Sequence, residues 1–244
     1  MATQGKRFLG ILDFEREPGW VRPKPLPGSL MSPDTYGVPV VVEGVRGSTV
    51  NRTMSGDPTL AASYVDAAQR LASEGALAIG SNCGFAIRYQ EAVSAAVKIP
   101  VMMSALVLLP SLLRQYPRSA QIGVVTSDST LFADDLLGIS DPVERTRVIV
   151  GGIEGGNLSR NSALGKPTSS AEMEADVSAC IIQMIAANPR LSALLFTCTL
   201  FPIISPALRR KFGLPIFDIS TACRLALESA VSAGLVHAEN GLAS

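Results

Sequence analysis

Short apolar runs recur along the whole chain, each closed by a polar or glycine-bearing turn. They are Arg7–Asp13, Val38–Glu43, Ala76–Gly80, Ile99–Met103, Gln121–Val125, Arg145–Val150, Leu191–Phe196 and Leu214–Asp218. Runs this short are too brief for helices. Apolar residues at nearly every position demand burial on both faces, which is the condition of a parallel strand. Segments of helical spacing lie between most of them and supply that cover. The expected fold class is therefore α/β: two similar three-layer α/β/α domains with mainly parallel sheets, and an active site in the cleft between them.

The punctuation supports this division. Asp57-Pro58 opens a helix that runs to Ser73 and stops at Gly75, because aspartate caps and proline fits a first turn. Further helices are expected over 85–97, 106–116, 131–137, 170–188, 206–212 and 221–233. The two halves repeat one layout, an apolar strand, a polar turn with a cysteine, then a helix. The predicted domains are residues 1–103 plus 214–244, and residues 104–213. Residues 14–37 carry Pro18, Pro23, Pro25, Pro27 and Pro33 with the only tryptophan, Trp20, and must form a long loop. Gly151–Asn157 follows a strand without matching a dinucleotide fingerprint, and reads as a loop at the cleft.

Composition narrows the function. Basic and acidic residues balance at 21 each, so no field draws nucleic acid or an anionic membrane surface. The hydrophobic fraction of 47% supports a sizeable core. The longest apolar stretch, Ile99 to Leu113, is broken by Pro100 and Pro110 and does not read as a membrane span. Residues 1–7 are polar and lead straight into a strand, unlike a secretory signal. The four cysteines are thus expected to be free thiols in a reducing cytoplasm. The one histidine, His237, argues against a histidine-based triad or zinc site. The expected partner is a small carboxylate substrate, with no nucleic acid and no membrane; a homo-oligomer is left open.

Two cysteines carry the chemistry. Cys198 follows the run Leu191–Phe196, is flanked by Thr197 and Thr199, and precedes Pro202; Cys83 follows Ala76–Gly80 and is preceded by Ser81 and Asn82. Ligands of open α/β sheets lie at such strand ends. A helix start there favours a thiolate and offers N–H donors to a carboxylate. A thiolate on one face of a carbon and a thiol on the other can remove and return a proton without any cofactor. Cys180 and Cys223 fall on apolar helix faces and read as core.

The stretch Phe196-Thr-Cys198-Thr-Leu-Phe-Pro202 resembles the second cysteine motif of the aspartate/glutamate racemase superfamily, which includes the hydantoin racemases. The resemblance extends over nearly the whole chain. The strand ending in Asp13 is similar to the family's first strand, whose aspartate positions or activates a thiol. Gln121-Ile-Gly-Val-Val-Thr-Ser127-Asp-Ser-Thr130 is similar to its carboxylate-binding turn. Pro215-Ile-Phe-Asp218 is similar to the strand by which the chain returns to the first domain. Leu200 replaces the histidine of glutamate racemases, so the chain is not a typical member of that branch. Aligned on Asn82, their first motif places Ser81 at the cysteine position; members with Cys-Gly-Phe after this strand, including an algal dimethylsulfoniopropionate lyase, favour Cys83.

The resemblance implies a cofactor-independent racemase or isomerase in which Cys83 and Cys198 transfer protons at the α-carbon of a carboxylate, amino-acid or hydantoin-like substrate. Asp13, Ser81, Asn82, Ser127, Thr130 and Thr199 are the expected substrate-binding residues. The alternatives on the same fold are a thiol-dependent lyase, an arylmalonate-type decarboxylase and a maleate-type cis–trans isomerase. The alternative outside catalysis is a small-acid binding protein.

Overall fold

The apolar runs pair into two separate four-stranded parallel sheets in a computed structural model that describes residues 7–230. The first half contains β1 (Phe8–Phe14), β2 (Val40–Val45), α1 (Val50–Ser55), α2 (Ala61–Ser73), β3 (Ala76–Ser81), α3 (Gln90–Ala96) and β4 (Val101–Met102). The second contains α4 (Leu109–Gln115), β5 (Gln121–Thr126), α5 (Pro142–Arg145), β6 (Val148–Gly152), α6 (Asn157–Ala163), α7 (Ser170–Ala187), β7 (Leu191–Phe196), α8 (Ser205–Phe212) and β8 (Ile216–Phe217). A final helix, α9 (Ile219–Ala230), follows.

The sheets run β2-β1-β3-β4 and β6-β5-β7-β8, the same order twice. They even share an irregularity: the register of β1 on β3 slips between Phe8 and Leu9, and that of β5 on β7 between Gln121 and Ile122. Both central strands are buried on both faces, as their unbroken apolar runs require. Leu9 and Ile11 pack with α9, while Phe8 and Leu12 face the core shared with α2. Glycines in the strands let helices come close. A methyl group on Gly80 would stand 2.9 Å from the Cys223 sulfur of α9, and one on Gly10 would stand 2.9 Å from Leu71 of α2. Cys180 and Cys223 are both buried core residues, as their spacing predicts.

Residues 214–218, assigned above to the first domain, belong to the second sheet: β8 pairs with β7. The chain returns one element later, with α9 on the first sheet. A two-residue strand at a sheet edge has no periodicity of its own, so only its pairing assigns it. The helix expected over 131–137 is a single 3-10 turn, Asp134–Leu137, closed by Gly138 in the left-handed region. Conversely α1 and α6 fall in stretches given almost no element above. Six- and seven-residue helices make less than two full turns and leave no periodic stripe. Residues 231–233 of the expected last helix and His237 lie outside the described residues.

Candidate active site

The pairing register makes the two cysteines equivalent. Leu12 of β1 stands opposite Ser81, and Val125 of β5 opposite Phe196; each cysteine lies two residues further on. The backbone beyond each strand is also held alike. The Asn82 N–H donates to the Leu12 carbonyl at 2.8 Å, and the Thr197 N–H to the Val125 carbonyl at 3.0 Å. Past Cys83 the chain enters a 3-10 turn, Gly84–Tyr89, with Cys83 as its cap. Past Cys198 it enters a second, Phe201–Ile203, with Pro202 in its first turn.

The two turns touch. The Thr199 hydroxyl donates to the Asn82 carbonyl at 3.1 Å and lies 3.3 Å from its Oδ1. A methyl group on Gly84 would run into the Thr197 carbonyl, so only glycine permits this approach. Cys83 and Cys198 thus line one cleft of about 430 Å³, with Asn82, Thr197 and Thr199. Cys83 is 9% exposed and Cys198 is half-buried; neither forms a disulfide.

Burial dominates the electrostatics of both thiols. It pushes Cys83 up to about 12, although the N–H groups of Phe85 and Ala86 favour the thiolate. It pushes Cys198 up to about 11 against the Leu200 N–H. The expectation that the helix starts would lower these thiols is therefore corrected: a short 3-10 turn supplies one or two donors, and desolvation costs more than they return. Both thiols are neutral at pH 7, and each becomes a strong base once deprotonated.

Asp13 is buried behind the cleft, not in its lining. Its carboxylate accepts from Asn82 Nδ2 at 2.8 Å, and pairs with Arg22 at 2.7 Å and Arg16 at 3.3 Å. Burial would raise its pKa, but the hydrogen bonds from Asn82 and Arg22 and the charge of Arg16 outweigh burial and hold it below the ordinary value. Asp13 therefore fixes Asn82, and through it Thr199.

The other expected residues divide. Ser127 lines the cleft. Ser81 is buried at the end of β3 and is not in the lining. Thr130 is exposed outside the lining; its N–H and hydroxyl both bond Asp128 Oδ1, at 2.9 and 2.6 Å. The structure adds lining residues that sequence reasoning left out: Asn51 and Met54 from α1, Leu158, Ser159 and Ser162 from α6, and Asp128. The helical contributions had no signal. Asp128 did, since it sits inside the turn already singled out.

The proline-rich loop covers a second cavity of about 280 Å³ that shares Asn82, Thr199 and Leu200 with the cleft. The Arg16 and Arg22 guanidinium groups both lie over the Trp20 ring, 4.6 and 5.1 Å from its centre. These are the same arginines that hold Asp13, so the loop is fastened to the base of the first cysteine turn. Leu200 is 47% exposed and forms an apolar wall between the cavities. Among the described residues no helix is long and apolar enough to cross a membrane.

No family model matches the chain. Among curated proteins, it is 32% identical over 204 residues to a dimethylsulfoniopropionate lyase of Durusdinium sp. clade D, covering 80% of this chain and 67% of that one. Dimethylsulfoniopropionate lyase 5 of Emiliania huxleyi is 30% identical over 172 residues; the match covers 64% of this chain but only 34% of the relative. Among solved structures, unliganded arylmalonate decarboxylase matches with a TM-score of 0.55 at 18% identity, over 94% of each chain. Glutamate racemase of Francisella tularensis, in complex with D-glutamate, matches with a TM-score of 0.53 at 14% identity, over 92% of this chain and 81% of that one. At such identities the structures speak for the fold alone; the sequence relatives support an enzyme. The chain belongs to the family that includes the Durusdinium dimethylsulfoniopropionate lyase.

Proposed function

We propose that the protein is a thiol-dependent lyase that removes the α-proton of a small carboxylate and expels a group from its β-carbon. The observation that carries this reading is the 32% identity over 204 residues to a dimethylsulfoniopropionate lyase, in a chain whose cleft sets the Cys198 thiol beside hydroxyl and amide groups. Cys198 is the base: its thiol is the more exposed of the two to the cleft. Its thiolate takes the α-proton, and the freed electron pair forms the Cα–Cβ double bond. The Cβ–leaving-group bond breaks with its electrons going to the leaving group. With dimethylsulfoniopropionate the products are dimethyl sulfide, acrylate and one proton, which the Cys198 thiol passes to solvent. Thr199, Ser127 and Asn82 are suited to hold the carboxylate while charge builds on it. A base pushed up by burial suits an α-proton of a carboxylate, which is weakly acidic.

The second reading is racemisation, the reaction expected from the cysteine pair alone. The equivalence of Cys83 and Cys198 favours it, because a thiol on each side of a carbon returns the proton that the other removes. One experiment separates the two. The purified protein is given dimethylsulfoniopropionate, and dimethyl sulfide is measured in the headspace. A panel of chiral amino acids and hydantoins is followed by deuterium uptake in parallel. Release of the sulfide without exchange on the panel supports the lyase; exchange with no fragment lost overturns it in favour of the racemase.

A further inference from the structure

We infer that α6 is the movable wall of the cleft, and that Asp176 of α7, outside the lining, is the positioning residue that holds it shut. This rests on the lyase reading for its effect on turnover but not for the latch itself. The repeated layout sets α1 and α6 in matching places, each between the second strand and the long helix of its half. Both face the cleft, with Asn51 and Met54 from α1 and Leu158, Ser159 and Ser162 from α6. Their anchoring differs. α1 is built into the core: Thr53 is fully buried, its hydroxyl stands 3.2 Å from that of buried Tyr64 on α2, and Tyr64 stacks on Tyr89 at 4.4 Å. Arg52 also ties α1 to Asp57 and Thr59, at 2.8 and 2.9 Å.

None of the residues of α6 is buried, and its one partly buried apolar side chain is Leu158. Its N-cap, Gly156, has no side chain to satisfy the first N–H groups. Asp176 does so from the neighbouring helix. Its Oδ1 accepts from Asn157 Nδ2 at 2.8 Å, and its Oδ2 from the Leu158 N–H at 3.2 Å. Glu172, one turn earlier on α7, adds a weaker contact with Asn161. Gly155 before α6 and Gly165 after it both lie in the left-handed region, with φ of 71° and 64°, so the chain can turn on either side of the helix. A helix with few buried contacts opens at low cost. A wall that opens admits substrate, and on closing it excludes water. The glycine-rich stretch before α6 is thus the hinge, and the charged hydrogen bonds to Asp176 set how much of the time the wall is closed.

The test is hydrogen exchange, read by mass spectrometry on the ligand-free full chain, in the wild type and two variants. Asp176→Asn keeps the size of the side chain and sets a donor where the donors of α6 need an acceptor. Gly156→Ala leaves Asp176 in place, but its methyl group would stand 2.7 Å from Asp176 Oδ2 and push the carboxylate aside. In the wild type α6 is expected to exchange faster than α1. In each variant α6 should exchange about tenfold faster again, the effect of one charged hydrogen bond, with α1 unchanged. With dimethylsulfoniopropionate, KM should rise about tenfold in both variants while kcat stays within about twofold, because substrate binding must then supply the closing free energy. Unchanged α6 exchange in both variants overturns the inference, as does a lower kcat at unchanged KM, the mark of a merely structural role. Faster α6 exchange in the variants with no sulfide from the wild type would leave the latch standing and remove the lyase reading. Sulfide release with α6 exchange unchanged in both variants would do the reverse.

Discussion

The turn that carries Cys83 and the turn that carries Cys198 follow one backbone plan and are braced by different chemistry. Asp13 and Thr126 occupy matching positions at the ends of β1 and β5, as the register shows. Asp13 is a buried carboxylate tied to Asn82, Arg16 and Arg22, and through those arginines to the proline-rich loop. Thr126 is a fully buried residue whose hydroxyl has no partner among the described residues. The first turn is thus cross-linked by charge and deeply buried; the second is neutral, and its thiol is more open. Duplicated backbone fixed where the two thiols stand. Divergent bracing gave each thiol different surroundings.

Five substitutions test that asymmetry, from the largest effect down. Cys198→Ser should cost about a thousandfold in kcat, within the range for loss of a positioned acid or base. Under the lyase reading Cys83→Ser should cost far less, about tenfold, because a neutral sulfide leaves without a proton. Equal losses in both variants would restore a symmetric, racemase-like mechanism. The kcat/KM of the wild type should climb with pH above 7, since Cys198 ionises at about 11 in the free protein. A profile flat from neutral to alkaline pH would exclude it as the base.

Gly84→Ala comes next. Its methyl group meets the Thr197 carbonyl, so the two turns must separate. The expected costs are about 2 kcal/mol of stability and about a hundredfold in activity, read by melting and turnover on one preparation. A variant with wild-type turnover would show that contact between the turns is not needed.

Asp13→Asn should lower stability by about 1–3 kcal/mol at neutral pH through loss of its charged hydrogen bonds. The sign with pH follows from its depressed value. The folded protein binds this proton less readily than the unfolded chain, so the stabilisation is present above the ordinary value of 3.8 and is lost as pH falls through the lower folded value. Acid unfolding of the variant should accordingly be shallower than that of the wild type over this window. The smallest effect belongs to Thr126→Val. It removes a buried hydroxyl that has no partner among the described residues and keeps the shape, so stability should hold or rise by up to about 1 kcal/mol. A clear loss would mean that Thr126 does work comparable to Asp13.

Much of this could be read from residues alone. The apolar runs announced parallel strands, the repeated layout announced two like domains, and Cys83 and Cys198 stood out at strand ends. Cys180 and Cys223 declared themselves core by helical spacing. What escaped were pieces without a local signal: α1 and α6, which wall the cleft, and β8, which is too short to show whose sheet it joins. Ser81 and Thr130 had the right chemistry, but local sequence does not say which way a side chain faces at the end of a strand.

Sequence by itself determined the strands, their burial and the two thiols, because period and composition act over a few residues. The tertiary structure alone decided that the turns meet through Gly84, Asn82 and Thr199, that Asp13 serves as a brace behind the cleft, and that both thiols are raised and not lowered. Those outcomes depend on desolvation and on charges from distant parts of the chain, such as Arg22 against Asp13. No window of sequence contains the distances that set them.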